Sequence, residues 1–221
     1  MFPLRDDNPK HRPSFVMWSL LAINVLVFAL QILQSSDTAL AFVNQYALIP
    51  RLFFREPAAQ AFDLISYMFF HGSIAHIAGN MFFLWVFADN IEDRLGHSLF
   101  LVFYLAGGVV AALCHALLDK ASNIPMVGAS GAISAVLGAY FVFFPRHRVQ
   151  TLIPPFFLVW LPAWVYLGIW AIMQVFEAFS GLVGSNVAWW AHIGGFVFGL
   201  VVALVIQPFL PKHEGYAYNQ G

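Results

Sequence analysis

The sequence contains little charge and almost no cysteine. Only 10% of its 221 residues are Asp, Glu, Lys or Arg, whereas soluble domains carry about a quarter, so an ordinary soluble domain is excluded. The single cysteine, Cys114, excludes an intrachain disulfide. A net charge of −1 gives no reason to expect a nucleic-acid partner. There is no internal repeat and no His-Glu-x-x-His pattern, and we expect neither a metal nor a cofactor.

Long uncharged runs are what the chain has instead. Hydrophobic residues make up 61% of the chain. Each uncharged run is long enough to cross a bilayer core, which needs roughly 20 apolar residues. We predict six transmembrane helices, at about 15–33, 74–88, 99–118, 127–144, 156–179 and 187–209. Segment 89–96 is predicted to be a charged loop, and the 34–63 connection to be partly structured. The fold class is therefore an all-α membrane protein, a six-helix bundle over 15–209 between a polar segment at 1–14 and a tail at 210–221.

The placement of Lys and Arg predicts the orientation, because cytoplasmic loops carry an excess of both. With a cytoplasmic N-terminus, seven lie on that side: Arg5, Lys10, Arg12, Arg94, Arg146, Arg148 and Lys212. Three lie on the other: Arg51, Arg55 and Lys120. We therefore expect both termini, and with them segments 1–14 and 210–221, in the cytoplasm.

With this orientation, the second, fourth and sixth helices all run from the outside inward. Near their outer ends lie His76 and Asn80 on the second, Ser130 on the fourth and His192 on the sixth. Polar groups inside a membrane are costly and usually face the bundle interior or a water-filled cavity. We therefore expect these side chains to converge on one site.

Small residues predict how Ser130 and His192 meet. Gly195 and Gly199 follow His192 along one helix face, and the fourth helix offers Gly131, Ser134 and Gly138. Such faces allow two helices to approach closely. An imidazole within reach of a serine makes an activated nucleophile. The alternatives are that Ser130 is a helix cap or packing residue and that His192 is an ordinary buried histidine.

The i, i+4 spacing of His76 and Asn80 places both on one helix face. As hydrogen-bond donors they suit an oxyanion hole with the Ser130 backbone N–H, although a polar contact between helices is a serious alternative. His71 and His76, five residues apart, are predicted to point to different faces, which argues against a metal site. Asp119 and Glu177 lie near outer helix ends, and either could orient a histidine.

Four motifs in this order resemble the rhomboid family of intramembrane serine proteases over about residues 66–199. They are His76-x-x-x-Asn80, Glu92-x-Arg94-Leu95-Gly96, Gly128-Ala129-Ser130-Gly131 and Ala191-His192-x-x-Gly195-x-x-x-Gly199. The resemblance implies a Ser–His dyad without an acidic third member, with Ser130 as nucleophile and His192 as general base. It implies that His76 and Asn80 line the oxyanion hole. It also implies that the partners are the lipid bilayer and transmembrane protein substrates, whose helices are cut near the outer face, with the fifth helix governing entry.

The chain departs from the family pattern at two places. Some members carry a Trp-Arg pair in the first outer loop, where this chain has Phe62-Asp63. Some place an aromatic residue one turn after the serine, beneath the histidine, where this chain has Ser134. The His192 ring must therefore be supported by another residue.

Two other function classes compete with a protease. An inactive rhomboid-like protein could bind transmembrane helices without cutting them, although such a protein need not keep Ser130 and His192. A small transporter is disfavoured because there are no repeated halves and no charge at mid-membrane depth. The compact chain without a transit-like N-terminus predicts a multi-pass protein of a bacterial inner membrane, of unspecified oligomeric state.

Overall fold

The computed structural model describes residues 1–180 and 187–211, so the predicted tail lies outside the described residues from 212 onward. Within the described part the chain forms nine α-helices and three strands. The helices are α1 Phe15–Ile32, α2 Ser36–Tyr46, α3 Pro50–Arg55, α4 Asp63–Ser66, α5 Ile74–Leu95, α6 His97–Leu118, α7 Ser130–Phe143, α8 Ala163–Ser180 and α9 Trp189–Ile206. Short 3₁₀ turns at Tyr67–Phe69 and Gln207–Phe209 follow α4 and α9.

In the part of the chain that the structure describes, five helices are long and apolar enough to cross a membrane: α1, α5, α6, α8, and α9 with its 3₁₀ extension. The remaining predicted span, the fourth at 127–144, corresponds to α7, an apolar helix of 14 residues. Every residue of α7 from Gly131 to Tyr140 is buried. This short helix is therefore enclosed by the rest of the bundle.

Small residues let α7 and α9 pack with their backbones in contact, as predicted. A Cβ atom added at Gly138 would lie 2.1 Å from the Phe196 carbonyl oxygen. One added at Gly199 would lie 1.9 Å from the Ala135 carbonyl oxygen. Both distances are far below van der Waals contact, so neither position has room for a side chain. The predicted small-residue interface is confirmed.

A three-stranded sheet corrects the prediction of an all-α protein. Strands β1 Phe2–Asp6, β2 Arg148–Ile153 and β3 Phe157–Pro162 form an antiparallel sheet in that order. The fifth helix was predicted from residue 156, but α8 starts only at Ala163. Apolar runs do not by themselves distinguish strand from helix, and Pro162 favours an extended residue before it. Segment 1–14, predicted only as polar, contributes β1.

Two predicted helix ends are also wrong. Helix α5 continues to Leu95, through the segment predicted as a charged loop. Helix α7 begins at Ser130 rather than 127. Gly128 has a φ of 121°, a conformation that is incompatible with a helix and costs glycine little. Its turn therefore sets the start of α7.

Glu92 explains why the charged end of α5 stays helical. Its side chain is buried, and its carboxylate accepts hydrogen bonds from the N–H groups of Val16 at 2.9 Å and Met17 at 2.7 Å. Its Oε1 also lies 2.6 Å from Nδ1 of His97. The N-terminus of α1 has unpaired N–H groups and a positive dipole end, which a carboxylate satisfies. Glu92 thus joins α1 to the α5–α6 corner.

The 34–63 connection is partly structured, as predicted, since it contains α2 and α3. Beyond α2, Leu48 and Met126 exchange two backbone hydrogen bonds, of 3.1 and 2.8 Å. Ser66 Oγ donates to the Tyr46 carbonyl at 2.8 Å. These bonds attach the connection to the segment that precedes Ser130.

Asp6 attaches β1 to the helices. Its Oδ2 accepts hydrogen bonds from the Tyr140 hydroxyl at 2.5 Å and from Asn90 Nδ2 at 2.9 Å. The pKa of Asp6 is raised from 3.8 to about 7, chiefly by burial and to a smaller extent by the charges of Asp89 and Asp7, against the hydrogen bond from Tyr140. The folded protein therefore holds a proton on Asp6 at a pH where the unfolded chain has lost it.

We predict that Gly199→Val lowers the free energy of unfolding by about 3 kcal/mol, because the new side chain forces α9 away from α7. Thermal unfolding in detergent measures this. Gly168→Val is the matched control, because nothing lies within 4 Å of a Cβ there. Equal stability of the two variants would contradict the close packing of α7 and α9.

We predict that Asp6→Asn reduces the pH dependence of stability. The stability that Asp6 contributes is fully present below its unfolded pKa of 3.8 and is lost as the pH rises through about 7. Between pH 5 and 8, the melting temperature of the parent protein should therefore fall more than that of the variant. The same fall in both proteins would show that Asp6 does not titrate in this range.

Candidate active site

Ser130 is the first residue of α7 and follows the tight turn at Gly128. The Gly128 N–H donates to the Tyr67 carbonyl at 2.9 Å, which ties the turn to the segment before α5. The first hydrogen bond of α7 runs from Ile133 N–H to the Ala129 carbonyl at 2.9 Å. The N–H groups of residues 130–132 therefore have no partner within the helix. The serine hydroxyl thus sits beside free backbone donors.

His192 meets Ser130, as the small-residue pattern predicts. Its Nε2 lies 2.8 Å from Ser130 Oγ, a hydrogen bond between residues 62 positions apart. A Cβ added at Gly195 would lie 2.2 Å from the Gly131 carbonyl oxygen. This backbone contact lies one turn beyond His192 on α9 and one residue beyond Ser130 on α7. The approach of the two helices therefore sets the distance between hydroxyl and imidazole.

Gln174, on α8, is the site residue that sequence reasoning missed. Its Oε1 lies 2.7 Å from His192 Nδ1. Asp119 and Glu177 were considered as residues that could orient a histidine, but an amide takes that place. One turn earlier on the same face of α8, the Trp170 ring lies 6.2 Å from the His192 ring, and the Trp189 ring packs edge-on at 5.7 Å. A Gln four residues after a Trp, in a helix otherwise almost wholly apolar, was the available signal.

His76 and Asn80 lie on one face of α5 and approach the turn before Ser130. A Cβ at Gly128 would lie 2.7 Å from His76 Nε2 and 3.4 Å from Asn80 Nδ2. The Gly72 N–H donates to His76 Nδ1 at 3.5 Å, which leaves Nε2 to carry the proton of a neutral ring. The Asn80 amide nitrogen is buried and has no partner in the described chain. Two donors therefore face the space at Gly128, two residues before Ser130.

His71 lies beside His76, which corrects the prediction that the two point to different faces. His71 precedes α5 and is not on its helical wheel, so the two rings pack edge-on at 5.1 Å. Burial, and then the proximity of His76, lower the pKa of His71 to about 3. The ring is therefore neutral. Among the described residues, no group of three or more His, Cys, Asp or Glu is arranged to hold a metal ion.

The chain matches known proteins over most of its length. The family model of the rhomboid domain matches residues 58–209. Rhomboid protein 1, mitochondrial, of Saccharomyces cerevisiae is 26% identical over 93% of this chain and 57% of its own length. The human presenilin-associated rhomboid-like protein, mitochondrial, is 28% identical over 82% of this chain and 45% of its own. Rhomboid protease GluP of Bacillus subtilis is 27% identical over 91% of this chain and 36% of its own length.

The chain thus spans about a third to just over half of the length of these relatives. The matched region contains Ser130, His192, His76 and Asn80. It also contains four of the five helices that are long and apolar enough to span a membrane. The chain is a multi-pass integral membrane protein and belongs to the rhomboid family of intramembrane proteases.

Proposed function

We propose that this chain is an intramembrane serine endopeptidase that cleaves transmembrane helices of other membrane proteins near the outer face. The observation that carries the proposal is the 2.8 Å hydrogen bond between Ser130 Oγ and His192 Nε2. A serine within reach of a base whose other nitrogen is held by a third group is the arrangement of an activated nucleophile. Family membership supports transmembrane proteins as the substrate class.

The reaction would proceed in two steps. Ser130 Oγ attacks the peptide carbonyl carbon while its proton moves to His192 Nε2, which gives a tetrahedral oxyanion. Collapse of that intermediate breaks the C–N bond, and His192 returns the proton to the leaving amine. Water, deprotonated by the same nitrogen, then hydrolyses the acyl-enzyme and regenerates Ser130.

The oxyanion is assigned to the space in front of Gly128. His76 Nε2 and Asn80 Nδ2 face this space, and the backbone N–H of Ser130 lies at the start of α7. The unpartnered Asn80 amide supports the assignment, because a buried donor without an acceptor is costly unless a ligand supplies one. The positive end of the α7 dipole adds to the stabilisation. Together these groups would act as fixed donors in a site of low polarity.

The proposed topology has six membrane helices and both termini in the cytoplasm. Its fourth helix, α7, has 14 residues, and at 1.5 Å per residue it extends about 21 Å. The hydrocarbon core is about 30 Å thick. With α7 running inward from Ser130, the nucleophile lies below the outer surface, which suits substrates that are themselves membrane helices.

We propose the inner membrane of a bacterial cell as the location, by analogy with the Bacillus relative. The names of the yeast and human relatives favour a mitochondrial membrane as the alternative. The competing function is an inactive rhomboid-like protein that only binds transmembrane helices. The hydrogen-bonded Ser130–His192 pair favours the enzyme, because binding alone requires neither side chain.

We predict that Ser130→Ala and His192→Ala each abolish cleavage of a model transmembrane substrate and labelling by a fluorophosphonate. The first loses the nucleophile and the second its base. Ser19→Ala, which removes an exposed serine of α1, is the matched control and should retain both activities. Labelling that persists in Ser130→Ala would show that another residue is the nucleophile. Absence of labelling in the folded parent protein would favour the inactive alternative.

We predict that Asn80→Ala lowers the turnover number by roughly ten- to a thousand-fold, as expected for the loss of one oxyanion donor. Substrate affinity should change little, because the donor acts on charge that develops in the transition state. Steady-state kinetics on the same substrate separate the two effects. Asn44→Ala, at an exposed position of α2, serves as the control. An unchanged turnover number would make Asn80 a packing residue.

A further inference from the structure

We propose that Gln174 is the positioning residue of the dyad. Its amide oxygen holds His192 in the tautomer that accepts the Ser130 proton, so the orientation of the base depends on the position of α8. The proposal rests on the function proposed above, in which His192 is the general base. It adds a third, neutral member to a pair for which the family resemblance implied no acidic partner.

The orientation of the Gln174 amide follows from both of its ends. Its Nε2 donates to the Trp170 carbonyl at 3.3 Å, one turn back along α8. Its Oε1 is therefore the atom that faces His192 Nδ1 at 2.7 Å. A carbonyl oxygen only accepts hydrogen bonds. Nδ1 must then carry the proton of the neutral ring.

This tautomer is the one that the reaction needs. With the proton on Nδ1, the Nε2 lone pair is free to accept from the Ser130 hydroxyl at 2.8 Å. In the other tautomer, the Nδ1 lone pair would oppose the amide oxygen, and Nε2–H would point at Ser130 Oγ. That arrangement loses one hydrogen bond and leaves the hydroxyl without a base. Gln174 therefore selects the reactive form.

Gln174 also explains what supports the His192 ring in a chain that has Ser134 where some family members have an aromatic residue. Ser134 Oγ donates to the Ser130 carbonyl at 2.7 Å, so it bonds to the helix of the nucleophile. The His192 ring is instead held at Nδ1 by Gln174, with Trp170 on one side and Trp189 at its edge. The support that an aromatic residue on the serine helix would provide is supplied here largely from α8.

The burial pattern of α8 links this bond to the position of the helix. The buried residues of α8 lie in its first two turns, at Ala163, Tyr166 and Leu167, except for Gln174. A cavity of about 450 Å³ lies between α8 and α9 around Gln174 and is otherwise lined by apolar side chains such as Val175 and Phe196. The C-terminal half of α8 contacts α9 through the bond between its amide and the base and through the ring pair of Phe179 and Trp190. Movement of this half away from α9 would release the imidazole.

Two substitutions of similar size separate positioning from packing. Gln174→Met keeps the volume but removes the acceptor, and it should slow fluorophosphonate labelling of Ser130 by roughly 10- to 100-fold, a part of what a general base contributes. Gln174→Glu keeps the acceptor and should restore labelling to within about threefold of the parent rate at its optimum. In this variant the acid limb of the pH–rate profile for labelling should move to higher pH, because a carboxylate stabilises the protonated His192 ring. Gln207→Met, the same change at an exposed site, is the control and should have no effect.

A packing role predicts the reverse order, with Met tolerated and Glu damaging, and that result would overturn the proposal. Equal labelling rates in the parent, Gln174→Met and Gln174→Glu would overturn it as well. Thermal unfolding in detergent is measured on each variant, and loss of labelling in Gln174→Met counts only with an unchanged melting temperature. If Gln174→Met does not fold, Gln174→Leu replaces it. No labelling of the folded parent protein would refute the dyad itself, a separate outcome from failure of the Gln174 proposal.

Discussion

The backbone contact between α7 and α9 is the constraint on which the site depends. Glycines at 138, 195 and 199 remove the side chains that would separate the two helices. Within a bilayer no hydrophobic force drives helices together, so close packing by small residues must supply the association. Ser130 and His192 lie near the N-terminal ends of these same helices, within one turn of the contact between Gly131 and Gly195. Their 2.8 Å hydrogen bond is therefore held by backbone packing rather than by flexible side chains.

Two carboxyl groups connect elements of the bundle, and a buried amide near the site has no partner among the described residues. Glu92 and Asp6 are paired on several sides and connect elements, namely α1 to the α5–α6 corner and β1 to α5 and α7. Near the site, by contrast, the Asn80 amide nitrogen is buried without a partner. An unpaired buried donor costs free energy, which a ligand at the site would recover by completing the bond.

Helices α1 and α6 could be predicted from sequence to within two residues, while one end of α5 and one end of α8 could not. Predicted spans at 15–33 and 99–118 correspond to Phe15–Ile32 and His97–Leu118. The sequence predicts helix over β3 because an uncharged run of Val, Leu, Phe and Trp suits either structure. It predicts a loop at the end of α5 because charged residues are usually solvated, whereas Glu92 is buried against the first turn of α1. That partner lies 75 residues away in sequence and leaves no local signal.

The same division applies to the site. The order of motifs and the small-residue spacing along the chain were enough to predict that Ser130, His192, His76 and Asn80 converge, because with the predicted orientation each lies near the outer end of an inward-running helix. The identity of the residue that holds His192 was decided only when α8 packed against α9. Whether Glu177 or Gln174 reaches Nδ1 depends on how far α8 is rotated and how deeply it is set. Neither quantity is encoded in its local sequence, since both follow from the contacts that α8 makes with the folded bundle.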